Sequence, residues 1–320
     1  MFNLGKYFLP PAKSTFAHNT DALFNFITNT GALLLLGIVV VMIYFVIKYR
    51  RRSDDDVTSL VDHNTTLEIV WTVIPLILVL VIFSWGFKGY YTLFTPPQDS
   101  YEINVTAQQW LWKFHYKNGK TTINKLYVPA GRDVKLIMTS KDVIHSLFIP
   151  DFRVKHDVLP DKYEELWFNA KKPGHANLFC TQYCGQGHSN MHADVIIESQ
   201  KKFNAWLKKG ANGSSGGNGK PQGMSQAAYG KQLYQKNGCS SCHSTDGSKG
   251  VGPSWKGIFG HKVTFKDGSS KTVDENYIRQ SILNPGAKVV KGFNNVMPTF
   301  QGVLNSDQIS AIIAYIKTLK

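Results

Sequence analysis

Cysteine is scarce in this sequence, and two long stretches contain no charged residue. The 320 residues include only four cysteines, which form two close pairs with C-x-x-x-C and C-x-x-C spacing. A disulfide framework would need more cysteines with partners elsewhere, so that class of small stapled fold is excluded. Close pairs instead suit a metal ion or a covalently attached cofactor. The length is enough for two or three domains.

Acidic residues are fewer than basic ones, 22 against 36, which gives a formal net charge of +14. An excess of this sign is typical of proteins that bind nucleic acid or anionic membranes. The sequence has no nucleic-acid-binding motif and its basic residues are spread along the chain, so we predict no nucleic-acid partner. We interpret the charge as surface solvation, with a bias toward membrane lipid or a protein partner.

The two uncharged stretches predict membrane helices. Residues 22–47 carry no formal charge, and a second apolar span, 69–91, is uncharged as far as residue 87. About 20 apolar residues cross a hydrocarbon core as a helix. The alternative is a pair of buried helices in a soluble protein, but apolar runs of this length are the main signal for membrane insertion.

The loop between the spans begins KYRRR, so Lys48, Arg50, Arg51 and Arg52 lie at the membrane edge. Basic loops stay in the cytoplasm. Both termini and all later residues should therefore lie on the outer, periplasmic side of a bacterial cytoplasmic membrane, a setting that suits copper and covalent haem. The first span starts too late and is too long for a signal peptide, so we expect no cleaved leader.

Short strands are predicted between residues 96 and 209, after an N-terminal unit of residues 1–95. Alternating or β-branched segments are separated by turns that contain Gly and Pro; they are YEINVTAQQW, DVKLIMTS, EELWFNA and DVIIES. This pattern is typical of an all-β sandwich or barrel. The segment CTQYCGQGHSNMH, residues 180–192, would form the loop between the last two strands.

Four interpretations of this loop stay open from residue types alone. Two thiolates with His145 and His188 could hold structural zinc. A single blue copper needs one Cys, two His and a Met, which leaves one Cys surplus. A disulfide between Cys180 and Cys184 would leave His188 and Met191 without a role. Two coppers bridged by both thiolates would use both Cys, both His, the Met and one carbonyl oxygen.

The loop resembles the di-copper (CuA) motif of subunit II of haem–copper cytochrome c oxidases. DVIHSLFIPDFRVKHDVLP resembles the upstream histidine segment of that family, AQQWLWKF its aromatic segment, and LEIVWTVIP the start of its second membrane helix. The resemblance covers residues 20–205 in the family's order. It implies a cupredoxin-like all-β barrel. It also implies six copper ligands: His145, Cys180, the backbone carbonyl of Gln182, Cys184, His188 and Met191.

The same resemblance gives roles to two further residues. Trp110 would lie near the copper on the side of the electron donor, the alternative being a packed barrel aromatic. Glu68 would mark the cytoplasmic mouth of a proton path, the alternative being a solvated helix cap. The family often has Glu at the position of Gln182, and a neutral amide is a poorer ligand for a hard cation. A magnesium site at the subunit I interface is therefore in question.

Other residues near the motif are rivals or departures. His192 follows Met191 directly and competes with His188, but the family spacing selects His188. His156 and His175 are interpreted as surface or hydrogen-bonded histidines. Leu111 interrupts the run of aromatic residues that is usual in the family.

A third domain, residues 224–320, follows a Gly-rich tether. Residues 210–223 read GANGSSGGNGKPQG, which predicts a flexible linker. The segment GCSSCHS then contains C-x-x-C-H, the attachment motif of c-type haem. Cys239 and Cys242 would form the thioethers, and His243 would be the proximal iron ligand. A thioredoxin-like redox C-x-x-C is the alternative, but no βαβ pattern surrounds it.

The residues around this motif predict a small all-α cytochrome c domain. AAYGKQLYQKNG, NYIRQSILNP and SDQISAIIAYIKTLK should form helices, the last one capped by Ser306. NNVMPTF resembles the distal-ligand segment of class I cytochromes c, so Met297 is expected on the iron. Met224 and His261 are the rivals for that position. A Met/His ligand pair raises the haem potential.

Together these features predict a subunit of cytochrome c oxidase with a fused cytochrome c domain. Electrons would pass from haem c to the di-copper centre and on to haem in subunit I, where oxygen is reduced to water with proton translocation. Other oxidase subunits are expected partners, and a cytochrome c or a quinol-oxidising complex would be the donor. The alternatives are the corresponding subunit of a nitric oxide reductase, a membrane-anchored electron carrier, and a zinc-structured module or copper chaperone.

Overall fold

The computed structural model describes residues 5–54, 56–57, 63–208, 220–221 and 223–320. The predicted linker 210–223 therefore lies almost wholly outside the described residues. The chain forms an N-terminal helical hairpin, a β-sandwich and a mainly helical C-terminal domain. This order agrees with the prediction of a helical hairpin followed by an all-β domain and then a helical domain.

Two long helices form the N-terminal hairpin. α2 (Ala17–Lys48) and α3 (Thr65–Phe94) follow the short helix α1 (Gly5–Phe8), and both extend beyond the predicted spans. At 1.5 Å per residue, each is about 45 Å long, enough to cross a membrane at a tilt. Their apolar side chains are mostly exposed in the isolated chain, as expected for helices that contact lipid or a partner subunit.

The two helices are joined close to the β-sandwich. The indole N–H of Trp85 in α3 donates to Asn19 Oδ1 in α2 at 3.0 Å, and the same ring lies 5.8 Å from Phe26. At the other end of the hairpin, the Asn64 side chain caps α3 by accepting the N–H of Leu67. These polar contacts lie toward the helix ends, where they do not place unpaired polar groups in hydrocarbon.

Ten strands form two five-stranded sheets that pack as a sandwich. The strands are β1 (Tyr101–Gln108), β2 (Leu111–Tyr116), β3 (Thr121–Ile123), β4 (Lys125–Pro129), β5 (Asp133–Ser140), β6 (His145–Ile149), β7 (Val154–Val158), β8 (Glu164–Asn169), β9 (Gly174–Cys180) and β10 (His192–Glu198). One sheet has the strand order β3-β2-β1-β5-β8 and the other has β4-β10-β9-β6-β7. The β1–β5 and β4–β10 pairs are parallel, and the remaining pairs are antiparallel.

The core of the sandwich follows from alternation along its strands. In β5, every second residue is buried, and Val134, Leu136 and Met138 are fully enclosed. Period-two alternation is the sequence signal of a strand with one face on a core. Helix α4 (Gln200–Lys208) adds the fully buried Phe203 and packs against β4 and β10. The result is a rigid platform from which the loops project.

The C-terminal domain contains three helices, α5 (Gln226–Lys236), α6 (Glu275–Leu283) and α7 (Ser306–Thr318). It is not purely helical as predicted, because β11 (Lys262–Thr264) and β12 (Ser270–Thr272) form a hairpin. The predicted cap of α7 is also wrong by one residue. Asn305, not Ser306, is the N-cap, and it forms a capping box with Gln308. Gln308 lies three residues after Asn305, where a Gln side chain can complete a capping box. The sequence therefore favours Asn305 as the N-cap.

Helices α5 and α7 cross at Gly230. A Cβ placed on Gly230 would lie 1.9 Å from the carbonyl oxygen of Ala311 and 2.8 Å from the Cβ of Tyr315. Only a residue without a side chain allows the two backbones to approach this closely. Four isoleucines of α7 are buried in the domain core: Ile309, Ile312, Ile313 and Ile316.

We expect Gly230→Ala to destabilise the C-terminal domain. Alanine gains about 1 kcal/mol over glycine in a helix, but overlap with the Ala311 carbonyl must separate the helices, and overpacking costs about 1–3 kcal/mol. Thermal unfolding of the haem-loaded protein should therefore occur at a lower midpoint. The exposed Lys231→Ala in the same helix is the control. Equal midpoints for the two variants would contradict the close crossing.

Candidate copper and haem sites

Three neighbouring strands position the loop of residues 181–191. β9 ends at Cys180 and β10 begins at His192, as the sequence predicts. The Cys180 N–H donates to the Met191 carbonyl at 3.0 Å and closes the base of the loop. β6 pairs with the other edge of β9, with Leu147 opposite Cys180, which brings His145 at the start of β6 beside the loop.

Cys180 is surrounded by three potential ligand atoms. Its Sγ lies 3.8 Å from His145 Nδ1, 3.3 Å from the carbonyl oxygen of Gln182 and 3.8 Å from Cys184 Sγ. His145 is fully buried. The ligand atoms of His145, Cys180 and Cys184 all lie within 4.8 Å of one another, a spacing that a metal ion can occupy.

Cys184 has a matching set of neighbours. Its Sγ lies 3.5 Å from His188 Nδ1 and 3.8 Å from Met191 Sδ. Each thiol is therefore accompanied by one imidazole and one weaker donor. For Cys180 the weaker donor is the Gln182 carbonyl, and for Cys184 it is the Met191 thioether.

This paired arrangement separates the four interpretations of the loop. The Sγ–Sγ distance of 3.8 Å is far longer than the 2.05 Å, approximately, of a disulfide bond. Zinc would use both thiols and both imidazoles but would leave the placement of Met191 unexplained. A single blue copper would leave one thiol unused. The residues present, with two soft thiols, two imidazoles, a thioether and a carbonyl, fit two copper ions.

The two thiols differ in pKa although they are neighbours. Burial raises the pKa of Cys180, but hydrogen bonds with His145 and with the backbone of Ser146 outweigh it and lower the pKa to about 6. Burial and the charge of Cys180 raise the pKa of Cys184 to about 12. The Cys180 thiol is therefore the more readily deprotonated of the two, and a bound metal would displace the protons that remain.

Asp142 connects the metal cluster to the segment before β2. Its carboxylate accepts the Nε2–H of His145 at 2.8 Å and the backbone N–H of Gln109 at 2.7 Å. Burial lowers the pKa of His145, but the bonds to Asp142 and Cys180 outweigh it and raise that pKa. With Nε2 held by Asp142, Nδ1 faces the cluster, the orientation that a metal-bound imidazole needs. Asp142 is not among the residues predicted from the sequence, although a carboxylate three positions before His145 was a usable signal.

Trp110 lies directly on the loop. Its indole N–H donates to the Cys184 carbonyl at 3.1 Å, and the Gln109 side chain donates to the same oxygen at 2.7 Å. A Cβ on Gly187 would lie 2.5 Å from the indole ring, and one on Gly185 would lie 3.0 Å from it. The two glycines of CGQGH therefore allow the ring to pack on the backbone. Trp110 is therefore both a buried aromatic of the sandwich and a direct neighbour of Cys184, a candidate copper ligand.

The remaining predicted or rival residues lie outside this cluster. His192 and His175 are exposed on β10 and β9. Nδ1 of His156 lies 2.8 Å from the carbonyl oxygen of Asp157. Glu68 is exposed in the first turn of α3, where the helix dipole favours an acidic side chain. Asn64, not Glu68, caps this helix, and the role of Glu68 on a proton path stays a prediction.

A largely apolar cleft in the C-terminal domain is lined by residues that include Cys242, His243 and Met297. A smaller cavity next to it shares these three residues and adds Cys239. All four predicted haem residues thus come together around connected apolar space. The rivals Met224 and His261 lie outside both linings.

His243 is oriented for a bond to iron. Its Nδ1 donates to the Pro253 carbonyl at 2.8 Å, which leaves Nε2 free for the metal. Burial lowers the pKa of His243 and keeps the ring neutral, as a ligand must be. A Cβ on Gly252 would lie 2.5 Å from the ring, so this glycine allows the imidazole to pack against the backbone. The residues present fit a c-type haem.

Three known families match successive parts of the chain. Residues 3–88 match the transmembrane domain of cytochrome c oxidase subunit II, and residues 120–199 match its periplasmic domain. Residues 227–320 match cytochrome c. The cytochrome c oxidase subunit 2 of Alkalihalophilus pseudofirmus is 31% identical over 273 residues, which cover 83% of this chain and 76% of that protein. The chain belongs to the cytochrome c oxidase subunit 2 family.

More distant members of the family align over less of the chain. Cytochrome c oxidase subunit 2 of Cereibacter sphaeroides is 25% identical and covers 48% of this chain and 63% of its own length. The solved periplasmic domain of subunit II from Bradyrhizobium japonicum is 28% identical, with a TM-score of 0.35. It covers 36% of this chain and 95% of that one.

Membership of the family confirms the predicted subunit of an oxidoreductase. Its matches imply that the chain binds copper and haem, and that it assembles with other subunits of a haem–copper oxidase. Two membrane-spanning helices followed by a periplasmic domain agree with a membrane-anchored oxidase subunit. The individual ligands stay predictions, which the following substitutions test.

We expect Cys184→Ser to abolish the signal of a two-copper centre while haem stays attached. A serine hydroxyl would be a poor replacement for a thiolate ligand to soft metal ions. Electron paramagnetic resonance of the purified chain, with copper counted per chain, measures the effect. Cys242→Ser is the reciprocal control, because it should weaken haem attachment and leave the copper signal intact. An unaltered two-copper spectrum in Cys184→Ser would show that the ligand assignment is wrong.

We expect Asp142→Asn to weaken copper binding and alter the copper spectrum without removing the centre. Loss of a residue that orients a ligand typically costs on the order of 10- to 100-fold in metal affinity. Competition with a copper chelator measures the affinity. Asp157→Asn is the matched control, since Asp157 accepts from Ser146 and not from His145. The same affinity in both variants would refute the orienting role of Asp142.

Proposed function

We propose that this chain is the subunit through which electrons enter a terminal cytochrome c oxidase in a bacterial cytoplasmic membrane. Electrons pass from the cytochrome domain to the sandwich domain and on to haem in subunit I, where oxygen is reduced to water with proton translocation. Both soluble domains lie on the periplasmic side. Covalent haem c and two copper ions would supply the one-electron chemistry, while the residues of the chain hold them and fix their separation.

The observation that carries this proposal is the position of the haem cavity against Trp110. The smaller of the two connected cavities lies between the domains. The sandwich contributes Gln109, Trp110 and Leu111 to its wall. The cytochrome domain contributes the four predicted haem residues: Cys239, Cys242, His243 and Met297. A haem held by these residues would face the indole that rests on the copper loop.

The contact between the two domains is apolar at its centre. Leu111 and Ile123 of the sandwich are 5% and 3% exposed and belong to the same buried cluster as Tyr229 of the cytochrome domain. Leu111, which interrupts the run of aromatic residues usual in the family, thus anchors the fused domain on the sandwich. At the rim, the Gln108 side chain donates to the Val296 carbonyl at 3.2 Å, one residue before Met297.

The residues between the two centres form a short series of contacts. The haem cavity touches Trp110, and the indole N–H of Trp110 reaches the carbonyl of Cys184. Water is excluded along this line because Trp110 and Leu111 are buried. Close, dry and fixed contacts lower the reorganisation that accompanies a change of charge. This arrangement supports transfer from the cytochrome domain to the sandwich domain.

We expect Leu111→Asp to slow the oxidation of haem c by the copper centre. A charge at a buried interface anchor costs about 2 kcal/mol or more, which reduces the docked population by roughly thirtyfold. Rapid-mixing or flash kinetics on the whole oxidase would follow the haem c absorbance. Copper and haem contents should not change.

The exposed Tyr163→Asp on the same domain is the control for added charge. Trp110→Phe tests the line of contacts separately, since it keeps an aromatic ring but loses the N–H donor to Cys184. Rates equal to wild type in both Leu111→Asp and Trp110→Phe would count against transfer across this interface.

A further inference from the structure

The turn after β6 holds an arginine whose guanidinium joins three parts of the chain. Nε and Nη2 of Arg153 donate to the two carboxylate oxygens of Asp21, at 2.8 and 3.1 Å. Nη2 also donates to the Pro10 carbonyl and Nη1 to the Pro150 carbonyl, each at 2.6 Å. Asp21 belongs to α2, Pro10 to the N-terminal segment and Pro150 to the sandwich.

The ion pair is shielded from solvent. The Arg153 side chain is 7% exposed and that of Asp21 is 23% exposed. Exposed ion pairs contribute little, but a two-pronged guanidinium–carboxylate pair fixes both distance and direction. The backbone of Arg153 is left-handed, with φ of 58°, a conformation that residues with a side chain adopt rarely. The turn therefore aims the guanidinium at the membrane helix.

Residues 13–15, here called the strap, reinforce this joint. The Lys13 N–H donates to the Asp151 carbonyl at 2.8 Å, and the Ser14 hydroxyl donates to the Phe152 carbonyl at 2.7 Å. Ser14 is fully buried. The strap lies directly before α2, so the chain is held to the sandwich on both sides of the helix start.

The second membrane helix is attached at a different point. The indole N–H of Trp167 in β8 donates to the Thr92 carbonyl of α3 at 3.1 Å. Phe16, just before α2, meets the same indole edge-on at 4.9 Å between ring centres. The sandwich is thus held to α2 by Arg153 and to α3 by Trp167.

The arginine joint leads straight to the candidate copper site. β6 begins at His145 and runs for five residues into the turn that holds Arg153. We propose that Arg153, paired with Asp21, is a positioning residue that fixes the sandwich on α2 and so sets the distance from the copper site to the acceptor in subunit I. This inference rests on the proposed function.

The test compares Arg153→Met, Asp21→Asn and the double variant in the assembled oxidase. Methionine keeps an apolar chain of similar length but donates no hydrogen bond. Lys135→Met is the matched control, because Lys135 forms ion pairs with Glu102 and Glu165, which both lie in the sandwich. Amide hydrogen exchange of residues 13–17, the copper resonance spectrum and time-resolved electron transfer are the three measurements.

We expect faster exchange in the strap and an unchanged copper spectrum in both single variants. Transfer from the copper site to subunit I should slow severalfold, because the rate of electron transfer falls exponentially with the distance between donor and acceptor. Oxidation of haem c by copper should keep its rate. The double variant should be no slower than either single variant, because the two residues act as one unit. Arg153→Lys should fall between wild type and Arg153→Met.

Wild-type transfer rates in both single variants would overturn the positioning role, as would a copper spectrum that changes with the rate. If the Arg153→Met variant does not assemble, Asp21→Asn decides the question alone. Its amide keeps one oxygen that can accept from Arg153, so this substitution is the milder of the two. If the wild-type complex itself passes no electron to subunit I, the proposed function fails. The exchange measurement then still decides whether Arg153 holds the sandwich on α2.

Discussion

The indole of Trp110 rests on a loop that has no side chain at the two points of contact. Gly185 and Gly187 leave room for the ring, and its N–H then reaches the carbonyl of Cys184. The same residue also lines the cavity shared with the cytochrome domain. A bulkier residue at Gly187 would move the ring away from Cys184. The spacing of cysteines, glycines and histidine in this loop therefore serves the approach of Trp110 as well as the metal donors.

The two joints of the molecule are built differently. The sandwich is held to the membrane helices by a shielded ion pair, a buried serine and an indole hydrogen bond, contacts that depend strongly on direction. The cytochrome domain meets the sandwich through Leu111 and Ile123, an apolar contact without strong directional demand. A covalent tether keeps a domain at an effective concentration of about millimolar, so such a contact needs little intrinsic affinity. The directional contacts thus lie at the joint with the membrane helices, where they would hold the copper site relative to an acceptor in a separate subunit.

Local spacing made much of both sites predictable. The thirteen residues 180–192 and the motif C-x-x-C-H place most donors close together in the chain, so their geometry depends on a single loop or turn. The contacts that sequence reasoning missed join distant segments. Asp142 meets Gln109 from 33 residues away, and Arg153 meets Asp21 from 132 residues away. Neither pairing leaves a periodic signal, because each depends on which strands and helices the fold makes adjacent.

Two of the candidate metal-binding histidines, His145 and His243, are held through their second nitrogen, but by different acceptors. A neutral backbone carbonyl of Pro253 holds His243, whereas the carboxylate of Asp142 holds His145. A carboxylate increases the basicity of the imidazole more than a carbonyl does. Here its charge is shared, since the same group also accepts the N–H of Gln109. Because Gln109 lines the interdomain cavity, one carboxylate connects the surface on which the cytochrome domain docks to a ligand of the copper site.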